Sequence, residues 1–320
     1  MYVQLVPAVA VIMSVYKTDT LDNLKEAVLS IANQDYENFS IFIFKDGELS
    51  PDVDLFLSNY HCNHDVFIVN SEQNLGLASA LNVLIDKILL LPQYEFIARM
   101  DSDDISRQSR LSTQVQFMLS HEHIDVCGTS CHEFGADFAL EEKHLPVEHG
   151  ALLDFSISRC PFIHPTVMFR RRVFESGMRY PTSTNLTEDM ALWFELLSKG
   201  FIFSNINVVL LDYRLNQNTL KRRHGFKKAL SEIQIRLTYM FRLRRVTLKN
   251  TALIISRLFF HLMPERLMSV VYKNARKNTN KPSMDTVLYL RNVTTAPISC
   301  SDLSINGYPL FIISALLFGG

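Results

Sequence analysis

The first hundred residues alternate between strand-length apolar runs and helical patterns, and this alternation constrains the fold most. Four apolar runs have the length of a strand, at residues 9–15, 39–44, 66–69 and 95–100. One helical face is marked by apolar residues spaced three or four apart, at Leu21, Leu24, Val28 and Ile31. Further helices are predicted over residues 53–60 and 75–91. Strands separated by helices predict a parallel, doubly wound α/β sheet with right-handed crossovers.

Polar residues follow each predicted strand. They lie at Ser14-Val15-Tyr16, at Asp46-Gly47, at residues 70–74 and at residues 101–104. In an open α/β sheet, ligands bind beyond the carboxyl ends of the strands. The sequence therefore predicts that these four segments form one shared site.

The segment Asp101-Ser102-Asp103-Asp104 carries three carboxylates directly after a buried strand. Carboxylates this close raise one another's pKa unless a cation neutralises them. Oxygen ligands at a strand end suit Mg²⁺ or Mn²⁺, which commonly share their coordination shell with substrate phosphates. The alternative is an acidic helix N-terminus, where Asp is common and stabilising.

Several other classes of protein are disfavoured by what the sequence lacks. The turn after the first strand, Lys17-Thr18-Asp19, contains no glycine, so neither a dinucleotide fingerprint nor a P-loop is present. Five cysteines without paired spacing argue against a secreted disulfide framework. Cys127, Cys131 and His132 could be metal ligands, but no second cluster completes a site, and buried thiols are the favoured interpretation. Residues 8–15 are predicted to be a core strand and not a signal peptide.

The charge is distributed unevenly along the chain. Residues 221–280 hold 15 lysines and arginines against two glutamates, whereas the whole chain has a net charge of −1. Large aliphatic residues are interleaved with this charge, which favours an amphipathic helical segment on an anionic membrane surface over a nucleic-acid site. A basic helix packed on its own domain is the remaining alternative. No apolar stretch reaches the length of a membrane span, and residues 281–320 have no predicted role.

Six short motifs occur in order along the chain. They are Val-Ile-Met-Ser-Val-Tyr (11–16), Lys-Asp-Gly (45–47), Asn-Leu-Gly-Leu-Ala-Ser-Ala-Leu-Asn (74–82), Ala-Arg-Met-Asp-Ser-Asp-Asp (98–104), His-Pro-Thr (164–166) and Thr-Glu-Asp (187–189). Over residues 8–275 the chain resembles family-2 glycosyltransferases of the GT-A fold, in particular bacterial enzymes that assemble O-antigen, capsule and exopolysaccharide repeat units. The resemblance implies a glycosyltransferase domain over residues 1–220, with a nucleotide-binding half at about 8–120 and an acceptor half at about 121–220. The basic segment 221–280 and the tail 281–320 follow it.

The resemblance also implies roles for individual residues. Nucleotide contacts are expected from Ser14, Tyr16, Asp46, Asn74, Ala78 and Asp101. Asp101 and Asp103 match the D-x-D pair that holds Mn²⁺ or Mg²⁺, and Asp189 matches the catalytic base. The acceptor or diphosphate side is expected to include His164, Glu188, Trp193 and Arg214. The chain departs from the family pattern at Lys45, where an acid is common, and at Gln108-Ser109, which precede Arg110 in place of Pro-Glu.

The function implied is inverting transfer of a hexose. The donor would be a UDP-sugar (glucose, galactose or an N-acetyl form), and the acceptor a sugar on a lipid diphosphate, such as N-acetylglucosamine-diphospho-undecaprenol, with a β-1,3 linkage. Such an enzyme would lie peripherally on the cytoplasmic face of the bacterial inner membrane, with no nucleic-acid partner. A nucleotidyltransferase and a non-catalytic sugar-nucleotide-binding protein are the alternatives. The first would carry a glycine-rich basic loop, and the second would be expected to lack one of Asp101, Asp103 or Asp189.

Overall fold

A computed structural model describes residues 6–60, 64–184, 187–215 and 226–262. Its centre is an eight-stranded sheet with the order β3-β2-β1-β4-β7-β6-β8-β5. The strands are β1 (Ala8–Tyr16), β2 (Phe39–Asp46), β3 (Val66–Ser71), β4 (Tyr94–Arg99), β5 (Ile105–Ser106), β6 (Val126–Phe134), β7 (Met168–Arg170) and β8 (Phe203–Arg214). Only β5 and β7 pair antiparallel to their neighbours in this sheet, so the predicted doubly wound, mostly parallel α/β fold is confirmed.

Nine α-helices connect or flank these strands in the described residues. They are α1 (Leu21–Ala32), α2 (Pro51–Asn59), α3 (Leu77–Leu89), α4 (Arg110–Ser120), α5 (His149–Ser156), α6 (Arg171–Glu175), α7 (Glu188–Ser198), α8 (Phe226–Arg242) and α9 (Leu248–Leu262). A 3₁₀ turn at His164–Thr166 precedes β7. No helix in the described ranges is long and apolar enough to cross a membrane.

Helix α1 shows why the sequence pattern was informative. Leu24, Val28 and Ile31 are fully buried on one face, as their spacing predicts. Helix α3 begins at Leu77 and not at the predicted residue 75, because Gly76 occupies its N-cap with a positive φ of 82°. A residue with a positive φ lies outside the right-handed helical region, so the helix can begin only after Gly76.

The sheet divides the core into two layers. Val11, Met13 and Ile43 face α1 and α4, whereas Ile12, Phe42 and Phe169 face α3 and α7. Because β1 pairs in register with β2 and β4, their carboxyl ends lie at one edge of the sheet. The core therefore brings the loops after β1, β2 and β4 together at that edge.

The basic C-terminal segment packs partly on the domain. Met240 and Ile254 are buried against Ile157 and Phe194, and the Tyr239 and Phe194 rings stack 5.0 Å apart. Within residues 226–262 the membrane interpretation must therefore be restricted to the faces of α8 and α9 that remain exposed. Residues 221–225 and 263–280 of that segment, and the tail 281–320, lie outside the described residues.

Arg236 anchors α8 to the domain. Its side chain is 1% exposed, pairs with Glu232 at 2.9 Å, and donates hydrogen bonds of 3.1 and 3.0 Å to the carbonyls of Ser156 and Ile157. A buried guanidinium with these partners stabilises the contact of α8 with α5, because its removal would break a buried ion pair.

We expect Arg236→Ala to lower the free energy of unfolding by about 3–5 kcal/mol, because it breaks a buried ion pair and removes the hydrogen bonds to the Ser156 and Ile157 carbonyls. Urea unfolding followed by circular dichroism measures this change. Arg242→Ala, an exposed arginine of the same helix, is the matched control and should change the value by less than about 0.5 kcal/mol. Equal effects from both variants would contradict the anchoring role of Arg236.

Candidate active site

The acidic loop, residues 101–104, follows β4 at the carboxyl edge of the sheet. Carboxylate oxygens of Asp101, Asp103 and Asp104 all lie within 4.8 Å of one another. Asp101 and Asp103 are half-buried, and Asp104 is fully buried. The structure therefore brings together the predicted D-x-D pair and adds a third carboxylate that the predicted ligand set did not include.

Asp104 has one satisfied and one unsatisfied oxygen. Its Oδ1 accepts a 2.8 Å hydrogen bond from the backbone N–H of Arg214, whereas its buried Oδ2 has no hydrogen-bond partner among the described residues. Burial, and then the charge of Asp103, raise the pKa of Asp104 well above its ordinary value. A cation at the cluster would relieve both the repulsion and the unsatisfied oxygen.

Two buried arginines support the acidic loop from below. Arg99 is 2% exposed and forms an ion pair with Asp101. Arg110 is fully buried and donates 2.6 and 3.1 Å hydrogen bonds to the Arg99 carbonyl and to Gln114 Oε1. Burial lowers the pKa of Arg110 to about 10, which leaves it charged at neutral pH. These positive charges offset part of the repulsion among the three carboxylates.

Arg214 fixes the acidic loop from the end of β8. Its Nε donates to the carbonyl of Asp103 at 2.7 Å, its guanidinium forms an ion pair with Glu26, and it lies 4.5 Å from the Phe134 ring centroid. Arg214 is thus engaged with protein groups in this structure, and its contact to a diphosphate stays a prediction.

A cavity of about 310 Å³ opens beside the ends of β1 and β2. It is lined by Lys17, Asp46, Gly47, Glu48, Leu49, Ser50 and Asn74. Tyr16 pairs with Asp46 across the two strands, and Asn74 is exposed at the rim. Ser14 lies in β1 and Ala78 in the first turn of α3, and both are half-buried. Of the predicted nucleotide contacts, Asp46 and Asn74 line this cavity, and nucleotide binding there stays a prediction.

Asp46 is engaged differently from its predicted contact to a uracil edge. Its side chain is 2% exposed, and its two carboxylate oxygens accept from the backbone N–H groups of Leu75 and Gly76 at 2.6 and 3.0 Å. Gly47 has φ +84°, and a Cβ there would lie 2.9 Å from the Asn74 nitrogen. In this conformation Asp46 holds the loop before α3 against β2, and direct uracil recognition stays a prediction.

Lys45, where the family pattern has an acid, forms an ion pair with Asp54 of α2. This pairing directs the Lys45 charge toward α2. The substitution is therefore accommodated by a local partner.

Asp19 links the nucleotide side to the acidic loop. One carboxylate oxygen, Oδ2, accepts from the backbone N–H of Tyr16 and from the Ser102 hydroxyl, each at 2.9 Å. Sequence reasoning missed this contact, because Asp19 and Ser102 are 83 residues apart and neither shows a pattern of its own. The loop after β1 and the acidic loop therefore hold each other in place.

The start of α7 lies close to the same buried arginine. Asp189 is half-buried and accepts a 2.7 Å hydrogen bond from the N–H of Met190. Its charge acts on both Arg99 and Tyr180: burial raises the pKa of Tyr180, and the carboxylates of Asp189 and Glu188 raise it further. Arg99 thus pairs with the acidic loop and also lies within the electrostatic reach of Asp189.

His164 lies behind this region as a neutral imidazole. Its Nε2 is 3.0 Å from the Tyr180 hydroxyl, and burial together with the charge of Arg99 lowers the pKa of His164 well below its ordinary value. Trp193 is fully buried among Phe162, Phe169 and His164. Trp193 therefore lies in the core behind His164, and its place on the acceptor side of the pocket stays a prediction.

Thr187 occupies the N-cap position of α7 without capping it. Its hydroxyl makes no hydrogen bond to the first turn and instead lies 3.4 Å from the Ser231 hydroxyl of α8.

Cys127 and Cys131 are buried thiols in β6, as favoured from the sequence. Burial raises the pKa of Cys127 to about 12.

The site and fold can now be compared with known proteins. The model of the family described as "Glycosyl transferase family 2" matches residues 10–178, which is more than half of the chain. This chain therefore belongs to glycosyltransferase family 2 and is a glycosyltransferase, as the motifs predicted.

Two relatives match over most of their length. The chain is 29% identical over 275 residues to the UDP-Gal:alpha-D-GlcNAc-diphosphoundecaprenol beta-1,3-galactosyltransferase of Escherichia coli, covering 83% of this chain and 96% of the relative. It is 28% identical over 274 residues to the amylovoran biosynthesis glycosyltransferase AmsE of Erwinia amylovora, covering 84% and 99%.

Solved structures show the same fold. TarS of S. aureus in complex with UDP superposes with a TM-score of 0.54 at 15% identity, covering 86% of this chain and 81% of that chain. The mannosyltransferase PcManGT of Pyrobaculum calidifontis, in complex with GDP-Man and Mn²⁺, gives 0.52 at 16% identity, covering 86% and 87%. The predicted GT-A fold is confirmed.

We expect Asp103→Asn to weaken Mn²⁺ binding strongly while leaving the fold intact, because Asp103 is half-buried in a strand-end loop outside the hydrophobic core and Asn keeps the size of its side chain. Loss of a metal ligand should cost several kcal/mol of transition-state stabilisation, or about 100-fold or more in rate. Titration calorimetry with Mn²⁺ in the presence of UDP measures the binding.

Asp65→Asn is the control, because Asp65 is exposed before β3 at the opposite edge of the sheet. If Asp103→Asn bound Mn²⁺ as tightly as this control, the acidic loop would not be the metal site. Thermal unfolding of both variants separates loss of a ligand from loss of the fold.

Proposed function

We propose that this glycosyltransferase moves a hexose from a UDP-sugar to a sugar carried on a lipid diphosphate, with inversion at the anomeric carbon. The observation that carries the proposal is the arrangement around Arg99. This buried arginine pairs with Asp101 of the three-carboxylate cluster and also feels the charge of Asp189. The donor-side cluster thus pairs with this buried cation, and the candidate base acts on it through its charge.

The donor side combines the cavity and the acidic loop. The fit of a divalent cation is supported by three carboxylates within 4.8 Å and the unsatisfied Oδ2 of Asp104. Asp101 and Asp103 would hold it. When bound, Mn²⁺ or Mg²⁺ neutralises the charge that develops on the leaving diphosphate. The nucleoside would lie in the cavity between Lys17 and Asn74, with Tyr16 beside it.

The acceptor side depends on Asp189. As the acceptor hydroxyl forms its bond to the anomeric carbon and the sugar–diphosphate bond breaks, Asp189 takes the hydroxyl proton. Asp189 lies in the first turn of α7, where acidic side chains are favourable neighbours of the helix N-terminus. One base opposed to one leaving group gives a single displacement, and a single displacement inverts the anomeric configuration.

The acceptor class rests on the relatives. One full-length relative is named for a diphosphoundecaprenol-linked N-acetylglucosamine acceptor and a β-1,3 linkage, and another for amylovoran biosynthesis. We place this enzyme in bacterial surface polysaccharide synthesis, such as that of O antigen. A polyprenyl-linked acceptor and the basic C-terminal segment both favour a peripheral position on the cytoplasmic face of the inner membrane.

Replacing the base should separate catalysis from binding. Asp189→Asn keeps the shape of the side chain but cannot accept a proton, so we expect the turnover rate to fall by about two to four orders of magnitude. The affinity for UDP, measured by calorimetry, should not change. Glu195→Gln, an acid-to-amide change in the same helix, is the control and should keep near-normal turnover. A parallel loss of UDP affinity would assign Asp189 to donor binding instead.

A donor screen tests the whole proposal. With N-acetylglucosamine diphosphate on a short alkyl chain as acceptor, we expect transfer from one UDP-hexose, UDP-galactose being the first to test, and none without Mn²⁺ or Mg²⁺. Proton NMR of the product should show a β-linked sugar, since the donor is an α-anomer. An α-linked product would exclude inversion.

A further inference from the structure

The corner between α8 and α9 exposes large apolar side chains that nothing in the described structure covers. Phe241, Val246 and Leu248 are 65%, 52% and 92% exposed. Leu230 and Leu237 extend this surface along α8, at 56% and 36% exposure. Leu230, Leu237 and Phe241 follow one another at spacings of seven and four residues. At about 100° per residue, these spacings place all three on one side of α8.

Exposed positive charge is interleaved with these residues. Arg242, Arg244 and Lys249 are exposed within the same nine residues, and residues 241–249 contain no acid. The described pair of helices, residues 226–262, holds eight lysines and arginines against one acid, Glu232. Because Glu232 is buried against Arg236, it does not neutralise the corner.

Other arginines of this segment are already used by the protein. Arg236 is buried, and Arg245 pairs with Asp154 at 3.0 Å. The structure thus separates arginines that dock α8 and α9 on the domain from basic residues that face outward. Composition alone could not make this distinction.

Arg244 is held in an unfavourable backbone conformation. Its φ is +53°, the one positive value recorded for a residue other than glycine in the described chain. The left-handed region disfavours residues with a Cβ, and glycine would occupy this turn with less strain. An arginine here keeps a positive charge at the corner at some expense to the backbone.

We propose that the corner surface, formed by Phe241, Arg242, Arg244, Val246, Leu248 and Lys249, inserts into the interface of an anionic phospholipid bilayer. Basic side chains bind the lipid headgroups, and the apolar side chains enter the boundary between headgroups and acyl chains. A nucleic-acid site would have the charge without this exposed aliphatic and aromatic area. An anionic phospholipid matches both parts of the surface, because its headgroup is negatively charged and its acyl chains are apolar.

This assignment rests on the proposed lipid-linked acceptor and connects the membrane to the site. Helix α8 packs on α7, and Ser231 of α8 contacts Thr187, which precedes the proposed base by two residues. A bilayer bound at the corner would therefore be joined through α8 to the start of α7. An acceptor anchored in the same bilayer would be presented to that end of the site.

Vesicle sedimentation of the full chain tests the surface. Wild type should bind vesicles of equal parts phosphatidylcholine and phosphatidylglycerol, bind phosphatidylcholine alone weakly, and lose affinity as NaCl is added. Arg242→Gln with Lys249→Gln should weaken binding to the anionic vesicles by about 25-fold, at about fivefold for each charge. Phe241→Ser with Leu248→Ser should abolish the part of the binding that resists salt.

Two further variants make the test specific. Arg244→Gly should weaken vesicle binding by about fivefold while the urea midpoint stays the same or rises, which a purely structural role would not produce. Lys87→Gln with Leu90→Ser removes an exposed charge and an 80% exposed leucine near the end of α3. This matched control should bind vesicles like wild type.

Some results would overturn the proposal. Corner variants that bind like the control would do so, as would a wild type that binds neither vesicle. Corner variants that instead change the oligomeric state without lipid would assign the surface to a second copy of this chain. Turnover on the short-chain acceptor should survive in every corner variant. If wild type failed to use that acceptor while its vesicle binding depended on the corner, the proposed function would fail and the surface would stand.

Discussion

The site depends on crowded negative charge held over buried positive charge. The carboxylate oxygens of Asp101, Asp103 and Asp104 lie within 4.8 Å of one another at the end of β4, and Arg99 and Arg110 are buried next to this cluster. The ionised cluster is unfavourable in isolation. Burial and the charge of Asp103 both disfavour the ionised form of Asp104 and raise its pKa. Three contacts offset this repulsion. Arg99 pairs with Asp101, Arg110 donates a hydrogen bond to the Arg99 carbonyl, and the backbone N–H of Arg214 donates to the Asp104 carboxylate. The remaining negative charge suits a substrate complex that brings a divalent cation with it.

The loops that carry the site position one another through polar contacts. Asp19 joins the end of β1 to the acidic loop through Tyr16 and Ser102, and Asp46 joins the end of β2 to the loop before α3. Both aspartates work as acceptors for groups of the protein itself. The loop beside the cavity and the acidic loop are thus each held at a strand end by hydrogen bonds of 2.6–3.0 Å to an aspartate.

The sequence predicted the features that repeat locally. Strand-length apolar runs and the spacing of Leu24, Val28 and Ile31 specify the parallel half of the sheet, and the acidic motif specifies the position of the site. It could not predict contacts that only the fold creates, such as Asp19 with Ser102, or the burial of Trp193 behind His164. The i, i+4 spacing of Glu232 and Arg236 was an available signal for a paired arginine. A count of charges hides that signal, because it treats each basic residue as exposed.

In the proposed arrangement, the C-terminal helices serve two physical roles with one composition. A basic amphipathic segment can dock on its own domain or on a membrane, and the two faces of α8 would divide these tasks. Arg236 and Met240 face the domain, where the guanidinium finds a carboxylate and two carbonyls. Leu237 and Phe241 are exposed on the same helix. The docked face packs α8 against α7, and Ser231 of α8 contacts Thr187, two residues before Asp189. In the proposed reaction, this link would let a mobile lipid-bound acceptor meet a rigidly held base.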